Sequence, residues 1–175
     1  MTDGVTITTL AGEDYRAAIP QLAELLVDAV ESGAGVSFLA GVTVEETARW
    51  WSSIQGEIDS GVITAFVAWL DKRIVGCVLL ARSTIPNSPH RAEIRRVLVH
   101  RSARRRGIAS ALLQAAEDRA RADGRWLLVL DTVADSPAEA LYRAHGWQVT
   151  GIVPNFAMLP SGAPGAATFF WKDLR

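Results

Sequence analysis

The sequence predicts an α/β protein built on one mixed sheet with helices on its faces, and three observations carry that prediction. Apolar residues recur at helical spacing in some segments and alternate, or run unbroken, in others, which gives the order βααβββαβαββ. The strand–helix–strand unit over 92–132 requires a parallel pair, because its helix carries the chain back between the two strands. The chain has 175 residues, 49% hydrophobic and 21% charged. That suits a single domain spanning 1–175, burying roughly two-thirds of its unfolded surface.

Each element has its own signature. Val5–Leu10 alternates with threonines, as a short strand does. Over Glu13–Glu31, Ala17, Leu22, Leu25, Leu26, Ala29 and Val30 fall at helical spacing. The stretch SGAGVSFLAG (32–41) is too rich in glycine to continue that helix and leaves Phe38 looking exposed. Thr43 and Glu46 form a capping box for a second helix ending near Gly61, with Trp50 and Trp51 half in the core. Val62–Leu70 and Ile74–Ser83 flank Asp71-Lys72-Arg73, a connection short enough for an antiparallel hairpin. A loop with Pro86, Asn87 and Pro89 leads into the strand Ala92–Val99. The helix Gly107–Arg121 carries Ile108, Leu112, Leu113 and Ala116 on one face and stops at Asp123-Gly124. WLLVLDT (126–132) is nearly all apolar, the pattern of a strand covered on both faces. Pro137–His145 is a short helix with proline in its first turn, stopped by Gly146. Trp147–Val153 and Thr168–Lys172 are the last strands, with a proline- and glycine-rich loop over 154–167 between them.

Composition narrows the function. The formal net charge is −1, so four arginines between Arg101 and Arg106 are a local feature and no nucleic-acid partner is expected. The start, MTDGVTITTL, lacks the basic and apolar regions of a secretory signal, and no apolar run approaches the ~20 residues of a membrane span. Cys77 is the single cysteine and sits in an apolar strand, so no intrachain disulfide forms. A cytoplasmic protein without a membrane partner is expected. His90, His100 and His145 have no metal-ligand spacing, and no metal is expected.

The basic knot HRSARRRGIASALL (100–113) lies where a strand ends and a helix begins. The first turn of a helix leaves backbone N–H groups unpaired and carries partial positive charge. Gly107 and Ala109 let an anion approach those amides, and arginines add donors for phosphate oxygens. Neither the GxxxxGK[ST] loop nor the GxGxxG fingerprint is present. From the residues alone, a phosphate cradle and a solvated basic loop both remain open.

Arg104–Ala109 resembles the signature of the GNAT N-acetyltransferases, which is Arg or Gln, two residues, Gly, one residue, then Gly or Ala, opening a helix after the fourth strand. Ala138, Tyr142, Gly146 and Trp147 are similar to the family's later Ala-x-x-x-Tyr and Gly-aromatic signature. GAGVSF, RAEIRRVLV, LLVLDT, AEALYRAHGW and the tail GIVPNFAMLPSGAPGAATFFWK most resemble the tabtoxin-resistance type of small-molecule acetyltransferase.

The resemblance implies a GNAT-like fold whose fourth and fifth strands splay apart around the pantetheine arm of acetyl-CoA. It assigns that arm to the backbone of Val97, Leu98 and Val99. It assigns the phosphates to Arg104, Arg105, Arg106, Gly107, Ile108, Ala109 and Ser110. Asp135 stands where many members carry an asparagine that touches the cofactor. By the same resemblance Tyr142 protonates the leaving thiolate; a core tyrosine with a paired hydroxyl is the plainer alternative. Asp131 ends an apolar strand, where a charge is costly unless partnered, so it either works on the substrate or forms a salt bridge. Glu93 lies four residues before Val97, roughly 13 Å away at about 3.3 Å per residue, which demands a water relay if it acts as a base. Phe38 and Trp50, with Glu93, Asp131 and the loops 84–90 and 154–167, are expected to shape the acceptor pocket.

The implied activity is direct transfer of acetyl from acetyl-CoA to a primary amine of a small molecule, in a monomer or homodimer. Two carboxylates beside one pocket favour a cationic amine, and a resistance role against an amino-bearing antibiotic fits the subtype. A non-catalytic acyl-CoA-binding domain, or an acetyltransferase of protein N-termini or lysines, is the alternative.

Overall fold

A computed structural model describes residues 4–175. Seven strands form one sheet: β1 (Thr6–Leu10), β2 (Ile63–Leu70), β3 (Arg73–Arg82), β4 (Arg91–Val99), β5 (Leu127–Val133), β6 (Gln148–Met158) and β7 (Pro164–Asp173). Their spatial order is β1-β2-β3-β4-β5-β7-β6. Only β4 and β5 pair in parallel. The helices are α1 (Gly12–Glu31), α2 (Val44–Ser53), α3 (Gln55–Asp59), α4 (Ile108–Ala122) and α5 (Pro137–Ala144), with a 3₁₀ turn at Arg101–Ala103.

The element order is the one the hydrophobic pattern predicts, with three differences. The second helix is two helices, broken at Ile54. There the Ser52 and Ser53 hydroxyls bond back to Ala48 O and Trp50 O, competing with the helical ladder. Most of the expected 154–167 loop is strand, because β6 and β7 continue as a hairpin that turns only at 159–163. Pro154 and Asn155 are accommodated where the β6–β7 register shifts, with Asn155 at φ 54°. Finally, β5 is covered on one face only. Leu128 and Leu130 are buried, whereas Leu127, Val129 and Asp131 face a partly open cleft.

Two cores hold the sheet. One lies under α4 and α5 and includes Ile94, Leu112, Leu113, Leu128, Tyr142 and Phe170. The other lies under α1, α2 and α3 and includes Leu22, Leu26, Trp51, Val67 and Leu79. Gly76 sets how closely α4 approaches: a Cβ there would meet Leu98 O at 3.0 Å, Leu112 Cδ1 at 3.1 Å and Ile108 Cγ2 at 3.2 Å. The first turn of α4 therefore rests directly on the sheet.

Candidate active site

The start of α4 is unlike every other helix start in the described chain. The first turns of α1, α2, α3 and α5 contain Glu13 and Asp14, Glu45 and Glu46, Glu57, and Glu139 respectively. Helix α4 has no acid in its first turn and no side-chain cap, so its leading amides are left to an outside acceptor. Arg105 and Gly107 both adopt left-handed backbone, at φ 61° and 77°, which curls the loop ahead of the helix into a concave turn. The Arg104 guanidinium folds inward: Nε donates to Val99 O at 3.1 Å and Nη2 lies 4.0 Å from Asp28 Oδ2. Arg104 thus braces the loop, and Arg105 stands exposed. Ile108 is buried beneath the turn, and Ser110 shares a 2.9 Å hydrogen bond with His145 Nε2 that links α4 to α5. Asp135, at φ 58°, begins the approach to α5. Its amide donates to Glu139 Oε2 at 2.9 Å and its side chain is exposed.

The strands beside this turn diverge. β4 and β5 pair only through Arg91–Leu127, Ala92–Leu128 and Glu93–Val129, so the edge of β4 that carries Val97, Leu98 and Val99 has no β5 neighbour. The cause is a bulge at Arg96, whose φ is 55° and where the β3–β4 register shifts between Cys77 and Leu79. The bulge inverts the alternation of β4. Ala92 and Ile94 face the α4–α5 core before it, Val97 and Val99 after it, and Leu98 turns to the opposite core.

Tyr142 packs on Trp147 and Phe170, with each pair of ring centroids 5.9 Å apart. Its ring is buried, yet its hydroxyl has no hydrogen-bond partner among the described residues, unlike Tyr15, whose hydroxyl donates to Trp51 O at 2.7 Å. Burial, with the negative charge of Asp131 behind it, holds the Tyr142 phenol protonated well above its usual range.

On the other face of the diverging strands is a recess of about 100 Å³, lined by Gly35, Ser37, Asp131, Val133, Phe156 and Met158 among others. Gly35 abuts Val133 so closely that a Cβ there would collide with it, which brings the loop after α1 against the end of β5. Asp131 is exposed into this recess and has no ion-pair partner among the described residues. Partial burial, reinforced by the nearby Glu93, raises its carboxyl above the usual aspartate range. Glu93 is occupied: Arg95 Nη2 lies 2.6 Å from its Oε2.

Sequence reasoning did not foresee Arg96 in this site. Its guanidinium carbon sits 4.2 Å from the Trp50 ring centroid and 5.9 Å from that of Phe38, and the two rings meet edge to face at 6.5 Å. Phe38 is therefore half-buried rather than exposed. Arg95 stands with the two expected carboxylates, Glu93 and Asp131, whereas Arg96 packs on the aromatic rings. Without the bulge, Arg95 and Arg96 would point to opposite faces, so alternation alone could not have revealed it.

The raised Asp131 carboxyl has a stability consequence. Between the ordinary aspartate value and the raised one, the folded chain holds more protons than the unfolded chain, so stability falls as pH rises through that window. The cost is fully present above the raised value. Asp131→Asn is expected to melt at or above the wild-type temperature at pH 7, the difference vanishing below about pH 4. A lower melting temperature at pH 7 would make Asp131 a structural anchor instead.

A larger but shallow depression of about 390 Å³ lies by α1, the 3₁₀ turn and Val44. Its buried Asp28 already accepts from Arg101, at 2.9 Å from the backbone amide and again from Nε. The smaller recess adjoins the strand gap and holds an unpaired carboxylate. Cys77 is buried away from both, its thiol pushed up to about 12. Among the described residues no group of three His, Cys, Asp or Glu is arranged to hold a metal, and no helix is long and apolar enough to cross a membrane.

A family model described as Acetyltransferase (GNAT) family matches residues 24–147, from within α1 to the residue before β6. The chain belongs to this family. Solved structures share its whole fold. An N-acetyltransferase from Staphylococcus aureus Mu50 superposes with a TM-score of 0.80 at 21% identity, covering 98% of this chain and 99% of that one. A protein assigned as a phosphinothricin N-acetyltransferase gives 0.79 at 18%, covering 98% and 99%. The protein yncA from Salmonella typhimurium, solved with its cofactor acetyl-CoA, gives 0.77 at 20%, covering 98% and 95%. In this GNAT chain the motif Arg104–Ala109 is the uncapped start of α4, and the parallel pair is the splayed β4–β5.

Proposed function

We propose that this GNAT chain transfers the acetyl group of acetyl-CoA to a primary amine of a small molecule, directly within a ternary complex. The observation that carries the reading is the uncapped, acid-free start of α4 beside the β4–β5 gap. The amides of 107–110, with Arg105 and Arg106, would hold the pyrophosphate, while Arg104 and Asp135 shape the turns on either side. When bound, acetyl-CoA supplies the thioester that reacts. The backbone of Val97, Leu98 and Val99 would pair with the pantetheine arm, and the Val97 N–H would steady the oxyanion. Asp131 draws in the ammonium and accepts its proton. Glu93, held by Arg95, is the more remote group and acts through water. As the N–C bond forms and the C–S bond breaks, Tyr142 donates its proton to the departing sulfur.

The small recess, walled by Gly35, Ser37, the end of β5 and the β6–β7 hairpin, favours a compact acceptor over a folded protein. An amino-bearing antibiotic or toxin fits that recess, in line with the tabtoxin-resistance resemblance. The proposal takes residues 1–175 as one domain, working in the cytoplasm as a monomer or homodimer, with no nucleic-acid, membrane or metal partner. The lone buried thiol suits a reducing compartment.

The test is thiol release from acetyl-CoA across a panel of small amines and amine-bearing peptides. Release with one or more small amines is the expected result. Release with peptides alone would move the acceptor to protein N-termini or lysines. CoA binding without release for any amine would leave a non-catalytic acyl-CoA-binding domain.

A further inference from the structure

Asp28 is a buried carboxylate, 7% exposed, in the last turn of α1. An acid there is doubly unfavourable, since it leaves water and faces the negative end of its own helix. No basic residue of α1 lies in that turn, and Glu31 adds a second negative charge to it. The compensation comes from the segment that joins β4 to α4. Arg101 donates to the Asp28 carboxylate from its backbone amide, at 2.9 Å, and from Nε. Its Nη2 donates to Asp28 O at 3.4 Å and to Glu31 Oε2 at 2.9 Å. His100 Nδ1 accepts from the Ser102 amide at 3.2 Å, which leaves the ring N–H on Nε2, 3.4 Å from Asp28 Oδ1. Arg104 Nη2 stands 4.0 Å from Asp28 Oδ2.

One carboxylate thus gathers the side chains of His100, Arg101 and Arg104, and the gathered segment runs straight into the start of α4. Val75 O, which accepts from His100 N at 2.9 Å, and the buried Ala103 hold the sheet side of that segment. Asp28 holds the side toward α1. Arg104 also ties Val99 O through Nε at 3.1 Å, at the strand edge that β5 leaves free. Through that arginine Asp28 reaches both halves of the candidate cofactor site, the amide turn and the free edge of β4.

We infer that Asp28 is a positioning residue for the cofactor: without touching acetyl-CoA, it fixes the 100–104 segment so that the amides opening α4 meet the pyrophosphate. The inference rests on the acetyl-CoA reading of that helix start and deepens it, since Asp28 lies 73 positions from the arginine it holds. Electrostatics alone argues for the opposite sign. A carboxylate near a phosphate site repels the ligand, so removing its charge would by itself strengthen binding. Positioning predicts that the same removal weakens it.

The test compares acetyl-CoA with S-acetylpantetheine, which has the same thioester and arm but no pyrophosphate, as donors to one accepted amine. Wild-type protein should favour acetyl-CoA in kcat/KM. In Asp28→Asn, which keeps the shape and removes the charge, that preference should fall by about 10–100-fold, through KM for acetyl-CoA, with acetylpantetheine little changed. Asp28→Glu, which returns the charge one methylene away, should recover part of the preference. Arg101→Gln cuts the same tie from an exposed side chain, and it serves if Asp28→Asn folds poorly. The double variant should be no worse than the weaker single one, because the two residues act as one link. A preference unchanged or increased in Asp28→Asn overturns the proposal. So does an equal fall for both donors, the mark of a purely structural acid. Additive losses in the double variant overturn it too, since Arg101 would then bind phosphate directly. Calorimetry with CoA and pantetheine reads the same discrimination without turnover. CoA-selective binding weakened in Asp28→Asn, with no thiol release for any amine, would sink the transferase reading and leave this role standing. No preference for CoA over pantetheine in the wild type would sink the cradle and this role with it.

Discussion

Tyr142→Phe is expected to fold as the wild type does and to turn over about 10²–10⁴-fold more slowly, the usual contribution of a positioned general acid. The ring is held by Trp147 and Phe170, and phenylalanine keeps those contacts. The hydroxyl contributes no hydrogen bond to the fold among the described residues, so its removal leaves no orphaned partner. What is lost is a proton that burial and Asp131 keep in place across the neutral range. Steady-state kinetics with a good amine, beside a thermal melt, checks both halves. Were kcat to stay near the wild-type value, Tyr142 would be a core residue only.

Gly107→Glu is expected to weaken acetyl-CoA binding by at least about 100-fold. It puts a carboxylate at a helix start whose other feature is the absence of any acid, and it sets a like charge against phosphate. It also forces a side chain into φ 77°, which costs about 1–2 kcal/mol at a non-glycine position. Gly107→Asn separates the two effects, because asparagine tolerates the left-handed region and carries no charge. Calorimetry should find its affinity close to that of the wild type. Equal affinities for CoA in Gly107→Glu and the wild type would remove the cradle. Arg104→Ala should act more mildly, by loosening the loop it ties to Val99 O and Asp28.

The parts of the site that were legible in the sequence are those set by neighbours along the chain. Arg104–Ala109 could be read as a helix start because a glycine, small residues and the following apolar stripe all fall within one turn. The helix that carries Tyr142 could be read because Pro137 and Gly146 bracket it, while the role given to the tyrosine came only through the family resemblance. The strand gap was legible only through the family resemblance. Its physical cause is Arg96 at positive φ, a conformation that no local pattern assigns to arginine. The same bulge hid the packing of Arg96 on Phe38 and Trp50, since alternation sends Arg95 and Arg96 to opposite faces. Pro154, Gly162 and Pro164 suggested a loop over 154–167. Pairing across the β6–β7 hairpin, which no local signal encodes, overrode them. Ser52 and Ser53 were unremarkable in a helix until their hydroxyls were seen to bond backwards and end it.

The most direct test is a crystal structure of the protein with CoA bound. The pyrophosphate should lie on the amides of 107–110, with the arm running along Val97–Val99 and the sulfur within hydrogen-bonding reach of the Tyr142 hydroxyl. A pyrophosphate seated elsewhere, for instance in the depression by Arg101 and Val44, or a sulfur remote from Tyr142, would contradict it.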